Sequence, residues 1–335
     1  MLNADVQERN GTRCGPWPRW RRPVCWLVAA AALAVAAWGW YRWGPREPNL
    51  VDGRLRVAVC QYDSRPGAYR WNADHALRYA REAAKRGAGL IVLPEYSFCT
   101  AADALSGVAF RKMHHVMRWL GPRLSRFCRR HRCCLFVNLP HEPRESTPQN
   151  PLRYNRTLVY APDGSVAATY DKHIGAMLDD WCQVREGPPC PPVDTEFGKI
   201  GLMICKDASY PQKFADYEGA DLIVVQFGHI TDWTDDETND PPWLVNDMGT
   251  AHGDFPIIAR RLADAFECNT VFANKTGLEP EGAYTGGSCI VDADGQIVAR
   301  AGFGGDVLYA DFELDEENQL IPDAPPIPYR PGEAP

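Results

Sequence analysis

From Leu55 onward the chain alternates short, uninterrupted apolar runs with longer stretches whose apolar residues recur at helical spacing. Leu55 to Cys60 predicts a short strand. Trp71 to Arg86 carries Ala76, Leu77, Ala80, Ala83 and Ala84 on one helical face, and Gly87 stops it. Leu90 to Leu93 is apolar throughout, the pattern of a strand buried on both faces. A second helix is predicted over about 106–131, leading into a strand at Cys134 to Leu139. Two Asp-Gly pairs, Asp163-Gly164 and Asp294-Gly295, lie between strand-like runs and predict hairpins. Ile200 to Cys205, Leu222 to Gln226 and Thr270 to Ala273 supply further strands, with a helix at about 256–267 ahead of the last. Strands alternating with helices, plus two hairpins, predict a mixed α/β domain.

The amino terminus breaks this pattern. Residues 24–41 read VCWLVAAAALAVAAWGWY, free of charge and about one membrane thickness of helix. Arg19, Arg21 and Arg22 precede the run, Arg42 follows it, and tryptophans cluster near its ends. This predicts a cytoplasmic segment at 1–23, a transmembrane helix at 24–41, a linker at 42–53, and an extracytoplasmic domain at 54–315 with a Pro-rich, extended tail at 316–335. A cleaved signal peptide, with Ala34-Val35-Ala36 as its processing site, is the competing reading.

The 45% hydrophobic and 24% charged content is that of a globular protein, and the formal charge of −7 gives no support for nucleic-acid binding. None of the twelve cysteines forms a pair with histidines at zinc spacing, so no metal site is expected. Export would permit disulfides, with Cys182–Cys190 and Cys128–Cys133 as candidate pairs against buried free thiols.

Three reactive side chains each follow a strand-like run: Glu95 after Leu90–Pro94, Lys172 after Ala167–Asp171, and Cys205 after Ile200–Ile204. An amide carbonyl is a poor electrophile. Its cleavage needs a strong nucleophile, a group that moves protons and a site for the oxyanion. Cysteine supplies the first, a carboxylate the second, and an ammonium with the N–H of the following residue, Lys206, the third. Taken singly, Glu95 also reads as a loop cap, Lys172 as a surface lysine and Cys205 as an inert buried thiol.

Together the motifs resemble the carbon–nitrogen hydrolase (nitrilase) superfamily. The resemblance runs from Leu55 to about Phe303: Arg56–Gln61 and Asn72 at the start, Leu93-Pro94-Glu95, Tyr170-Asp171-Lys172-His173, Ile204-Cys205-Lys206-Asp207 with Tyr210-Pro211, then Ala273-Asn274-Lys275 and Asp292–Gly295. It implies a four-layer α-β-β-α sandwich, a Glu95–Lys172–Cys205 triad, no cofactor, and pairing into a homodimer through helices beside the nucleophile. Many members carry a second, substrate-positioning glutamate shortly after the lysine. Here Asp180 stands at about that spacing, with Glu186 as the alternative, so Asp180, Lys206 and Tyr210 are the expected substrate-binding residues. Lys206-Asp207 replaces the Trp-Glu of nitrilases, which points to amides. The acidic segment His229 to Asp254, with Trp233 and Trp243, reads either as a lid over the pocket or as a solvated insertion.

The expected activity is thiol-dependent hydrolysis of a non-peptide amide through a thioester. Membrane-associated N-acyl transfer to an amine is the alternative, and a binding module on the same fold the third reading. A catalytic Cys205 is also expected to label faster than an ordinary thiol near neutral pH.

Overall fold

The computed structural model describes residues 49–231, 255–279, 282–329 and 331–332, together with Val28 and residues 30–35. Residues 1–45 and 46–335 form separate units. In the first, the described residues are helical, with Val28, Leu33 and Val35 exposed. Among the described residues no helix is long and apolar enough to cross a membrane, and most of the 24–41 run lies outside them.

The second unit holds two mixed sheets flanked by helices. Its first half runs Leu55–Gln61 (β1), Tyr69–Lys85 (α1), Leu90–Val92 (β2), Ala101–Leu105 (α2), Val108–His131 (α3), Cys134–His141 (β3), Tyr154–Tyr160 (β4), Val166–Asp171 (β5) and Met177–Cys182 (α4). Its second half runs Val193–Thr195 (β6), Gly198–Ile204 (β7), Leu222–Gln226 (β8), Ile230–Thr231 (β9), Phe255–Phe266 (α5), Asn269–Ala273 (β10), Thr276–Glu279 (β11), Gly282–Thr285 (β12), Cys289–Val291 (β13), Ile297–Arg300 (β14), Asp306–Phe312 (β15) and Ile327–Pro328 (β16). The seven-stranded sheet has the order β16-β15-β1-β2-β3-β4-β5 and the six-stranded sheet β14-β13-β10-β8-β7-β6. Each contains three neighbouring parallel strands followed by two antiparallel ones. The similar runs Gly89–Val92 and Asp221–Val225 contribute β2 and β8, the middle parallel strand of each trio.

The continuous apolar runs are explained by two cores. Val57, Val59, Leu90, Val92 and Phe136 join a cluster with Leu202, Ile204, Val224 and Phe272 of the other sheet. The alternate residues Ala58, Ile91, Leu135 and Val137 join a second cluster with Ala76, Leu77 and Ala80 of α1 and Phe110, Met113 and Leu120 of α3. Because successive strand side chains point to opposite faces, both faces are buried and no polar alternation survives.

The helix expected at about 106–131 is α3, and the short helix α2 precedes it. Thr100 Oγ1 accepts the Asp103 N–H while Asp103 Oδ2 accepts the Thr100 N–H, a capping box that starts α2. Gly107, at φ 65°, then separates α2 from α3. Part of the Pro-rich tail lies extended against the first sheet. Leu320 is buried, and β16 pairs with β15 as the sheet edge. A third, small sheet of β11, β12 and β9 had no counterpart among the expected strands. The ten described cysteines are free thiols, including both candidate pairs.

Candidate active site

Glu95, Lys172 and Cys205 follow β2, β5 and β7, and the two sheets bring these ends together. Lys172 Nζ lies 3.6 Å from Glu95 Oε1, both side chains almost fully buried. Both groups act electrostatically on Cys205, which is half-buried at the start of a 3-10 turn. Cys205 sits at φ 50° and Tyr96, directly after Glu95, at φ 48°. Left-handed backbone in residues with a Cβ costs about 1–2 kcal/mol each. Two such residues beside the reactive groups mark a geometry held by its surroundings.

Asp207 is part of what holds it. Its Oδ2 accepts from the Ile204 N–H at 2.9 Å and the Tyr170 hydroxyl at 2.7 Å, and its Oδ1 accepts from the Ile174 N–H at 2.7 Å. One carboxyl thus ties the nucleophile turn to β5 and to the loop after Lys172. Burial pushes it up to about 6, against the pull of Lys172 and its donors.

A chain of amides fixes Glu95. The Tyr96 N–H donates to Asn138 Oδ1 at 2.7 Å, Asn138 Nδ2 donates to Asn155 Oδ1 at 2.8 Å, and Asn155 Nδ2 donates to Glu95 Oε1 at 2.7 Å. Each link sets the orientation of the next, so Glu95 Oε1 meets a donor. Burial raises the Glu95 carboxyl above the usual range, while Lys172 and the Asn155 donor oppose the rise. Asn155→Leu, which removes the donor at similar size, is expected to raise the Glu95 pKa further. The acid limb of kcat/KM should then move to higher pH, with a rate loss on the order of tenfold at neutral pH. An unmoved acid limb would show that Asn155 serves only the fold.

The carboxylate of α4 that meets Lys172 is that of Asp179. Asp179 Oδ2 lies 2.7 Å from Lys172 Nζ and 2.8 Å from the Ala176 N–H, with its side chain almost fully buried. Asp180 is exposed, as is Glu186, whose Oε1 accepts the Gly175 N–H at 3.3 Å. Consecutive residues of a helix point about 100° apart, so only one of the two aspartates in α4 can face Lys172. Burial works against the Lys172 charge, but Asp179 and Glu95 outweigh it and the ammonium stays well above its ordinary value. Gly187 lets this loop close: its N–H donates to the Lys172 carbonyl, and a Cβ there would lie 2.4 Å from the Asp171 carbonyl oxygen.

Lys206 is half-buried in the turn after Cys205. Tyr210 lines a surface depression with Pro211 and with Arg261 and Asp264 of α5, and none of Glu95, Lys172 and Cys205 lines it. Burial, reinforced by Glu95, pushes the Cys205 thiol up, and Lys172 only partly opposes this. This direction favours the protonated thiol at rest and argues against the expected fast labelling. Of the expected lid, residues 232–254, including Trp233 and Trp243, lie outside the described residues.

A second buried pair stands behind the site. Lys275 Nζ donates to the Cys99 carbonyl at 2.7 Å and lies 3.5 Å from Glu279 Oε1, and Glu279 Oε2 accepts the Ala101 N–H at 2.9 Å. These bonds fasten the small third sheet to the segment that follows Glu95. Neither Glu279 nor Asn155 carried a sequence signal.

A family model described as carbon-nitrogen hydrolase matches residues 56–321. The deaminated glutathione amidase of Bos taurus is 30% identical over 291 residues, covering 82% of this chain and 81% of the relative. The Homo sapiens protein of that name is 29% identical over 294 residues, covering 82% and 81%. A carbon-nitrogen hydrolase from Helicobacter pylori superposes with a TM-score of 0.64 at 21% identity, over 77% of this chain and 89% of the other. A mutant of the amidase from Nesterenkonia sp. AN1, carrying the acetamide moiety of fluoroacetamide at its active-site cysteine, gives 0.60 at 22% identity, over 82% and 93%. The structural likenesses establish the fold, and the sequence match over most of the domain establishes that this chain belongs to the carbon–nitrogen hydrolase family of the nitrilase superfamily, as an amidase-like enzyme.

Proposed function

We propose that the enzyme hydrolyses a small, non-peptide amide through a thioester on Cys205, releasing ammonia or an amine and a carboxylic acid. The observation that carries this reading is the buried Glu95–Lys172–Asp179 cluster acting on a strained, half-buried thiol. Glu95 takes the thiol proton as sulfur attacks the carbonyl carbon. Its Oε1 is held by Asn155, so the proton goes to Oε2, on the side of Gly228, where an added Cβ would lie 3.0 Å away. The new oxyanion is stabilised by the Lys172 ammonium and the Lys206 N–H. Collapse breaks the C–N bond, and the leaving nitrogen takes the proton from Glu95. Glu95 then accepts a proton from water, hydroxide oxygen adds to the thioester, and the departing sulfur is reprotonated.

Asp179 holds Lys172 charged and in place. The names of the curated relatives support an amide such as that of deaminated glutathione as the first substrate to try. In the same reading, residues 24–41 tether the domain to the extracytoplasmic face of a membrane, supported by the uncharged run and the arginines before it. Amino-terminal sequencing of the mature protein tests this: cleavage after Ala36 would replace the anchor with a signal peptide.

The activity is tested by incubating the full chain with primary amides, with and without added amines. Equal yields of ammonia and carboxylic acid are expected, unaffected by the amine. A new amide that grows with amine concentration at the expense of the acid would establish acyl transfer instead.

A further inference from the structure

We infer that the outer face of α3 is a docking surface for an anionic lipid membrane. This inference is independent of the chemistry proposed for Cys205. The net charge of the chain is −7, yet the 24-residue helix α3 carries six arginines and one lysine and no acidic residue. Its inner face is apolar, with Phe110, Met113, Val116, Leu120, Leu124 and Phe127 buried at helical spacing. The cations are therefore gathered on the opposite face: Arg111, Lys112, Arg118, Arg126 and Arg130 are exposed. Among the described residues, none of these five has a carboxylate within ion-pair distance. Arg123, which is half-buried, pairs with Asp74 of α1.

The face extends onto α1. Arg81 of α1, which is exposed, and Arg130 both act on His131, which burial and these two charges hold below its ordinary pKa, so Arg81 lies near the C-terminal end of α3. Fixed like charges concentrated in this way repel one another and gain from an anionic surface, more so at low salt.

A membrane fits the face better than a nucleic acid for two reasons. Trp119, with 36% of its surface exposed, sits among these cations with Arg123 over its ring, giving an aromatic of the kind that settles at a lipid headgroup boundary. The sequence also places the uncharged apolar run 24–41 a short linker ahead of the domain. A polybasic face on this chain adds electrostatic attraction to anionic lipid beside the apolar contact that residues 24–41 would make.

The test uses the full chain, titrated with vesicles of phosphatidylcholine alone or with about 30% phosphatidylglycerol. Wild type is compared with the combined variant Arg111→Gln, Arg118→Gln and Arg126→Gln, which leaves residues 1–45 intact. Each cation near an anionic surface contributes about fivefold, so the ratio of partitioning into anionic over neutral vesicles, from which the contribution of residues 24–41 divides out, is expected to fall roughly a hundredfold in the variant, with an unchanged melting temperature. A tenfold rise in salt should weaken the wild type on the same vesicles, a result that does not depend on the variant folding. An equal anionic-over-neutral ratio in wild type and variant would overturn the proposal. So would salt-insensitive binding, or capture by duplex DNA that anionic vesicles do not reproduce.

Discussion

Glu95→Gln is expected to lower turnover by about a thousandfold while making Cys205 easier to ionise. The two effects separate because Glu95 does two things to the thiol. As a base it carries the proton away during attack, a role worth roughly 10²–10⁴ in rate. As a negative charge beside a buried sulfur it raises the thiol pKa at rest. Glutamine keeps the shape and can still meet the Asn155 side chain, but it cannot take a proton. The variant should therefore be alkylated by N-ethylmaleimide faster than wild type at pH 8, while amide hydrolysis nearly vanishes. In wild type the rate of alkylation should climb with pH well beyond neutrality, since burial holds the thiol protonated there. If Glu95→Gln kept full activity, its role as base would be refuted. If it were labelled more slowly than wild type, the electrostatic account of Cys205 would fail.

Asp179→Ala is expected to destabilise the domain by about 3 kcal/mol and to abolish most turnover. The pair it breaks is 2.7 Å long, and both side chains are almost fully buried. Removing one partner leaves the Lys172 ammonium desolvated with only Glu95, at 3.6 Å, as a counter-charge. Such deletions cost several kcal/mol because the orphaned charge stays buried. Lys172 would also be drawn closer to Glu95, lowering the basicity on which proton transfer depends. The Asp180→Asn change, one residue along on the exposed side of α4, should shift stability by no more than about 0.5 kcal/mol and leave turnover near wild type. Thermal or denaturant unfolding together with ammonia release checks both. Asp180→Asn proving the more damaging change would reverse the assignment of the second carboxylate.

Much of the fold was legible because its central strands are buried on both faces. β2 and β8 read as continuous apolar runs, and the Asp-Gly pairs marked the turns of β4–β5 and β13–β14. Where burial is one-sided or the strand is very short, the signal faded. β11 and β12 read Thr-Gly-Leu-Glu and Gly-Ala-Tyr-Thr, and nothing in those residues announces a strand. The edge strand β16 was hidden behind its prolines, which an edge tolerates because one side needs no ladder donors.

The site divides in the same way. Glu95, Lys172 and Cys205 were conspicuous because each follows a strand in a recognisable motif. Asp179 was not, because choosing between adjacent aspartates requires the rotation of a six-residue helix, which spacing alone does not give. Asn138 and Asn155 are diagonal neighbours on strands β3 and β4, so their link to Glu95 exists only after the sheet has formed.

The measurement that bears most directly on the account is intact-mass spectrometry of the enzyme quenched during turnover of an active amide, followed by peptide mapping. The account predicts a mass gain equal to the acyl group on the peptide containing Cys205, enhanced when water attack is slowed at low pH, and absent from an inactive Cys205→Ala variant. Hydrolysis that persists in Cys205→Ala, or an acyl group mapped to another residue, would contradict it.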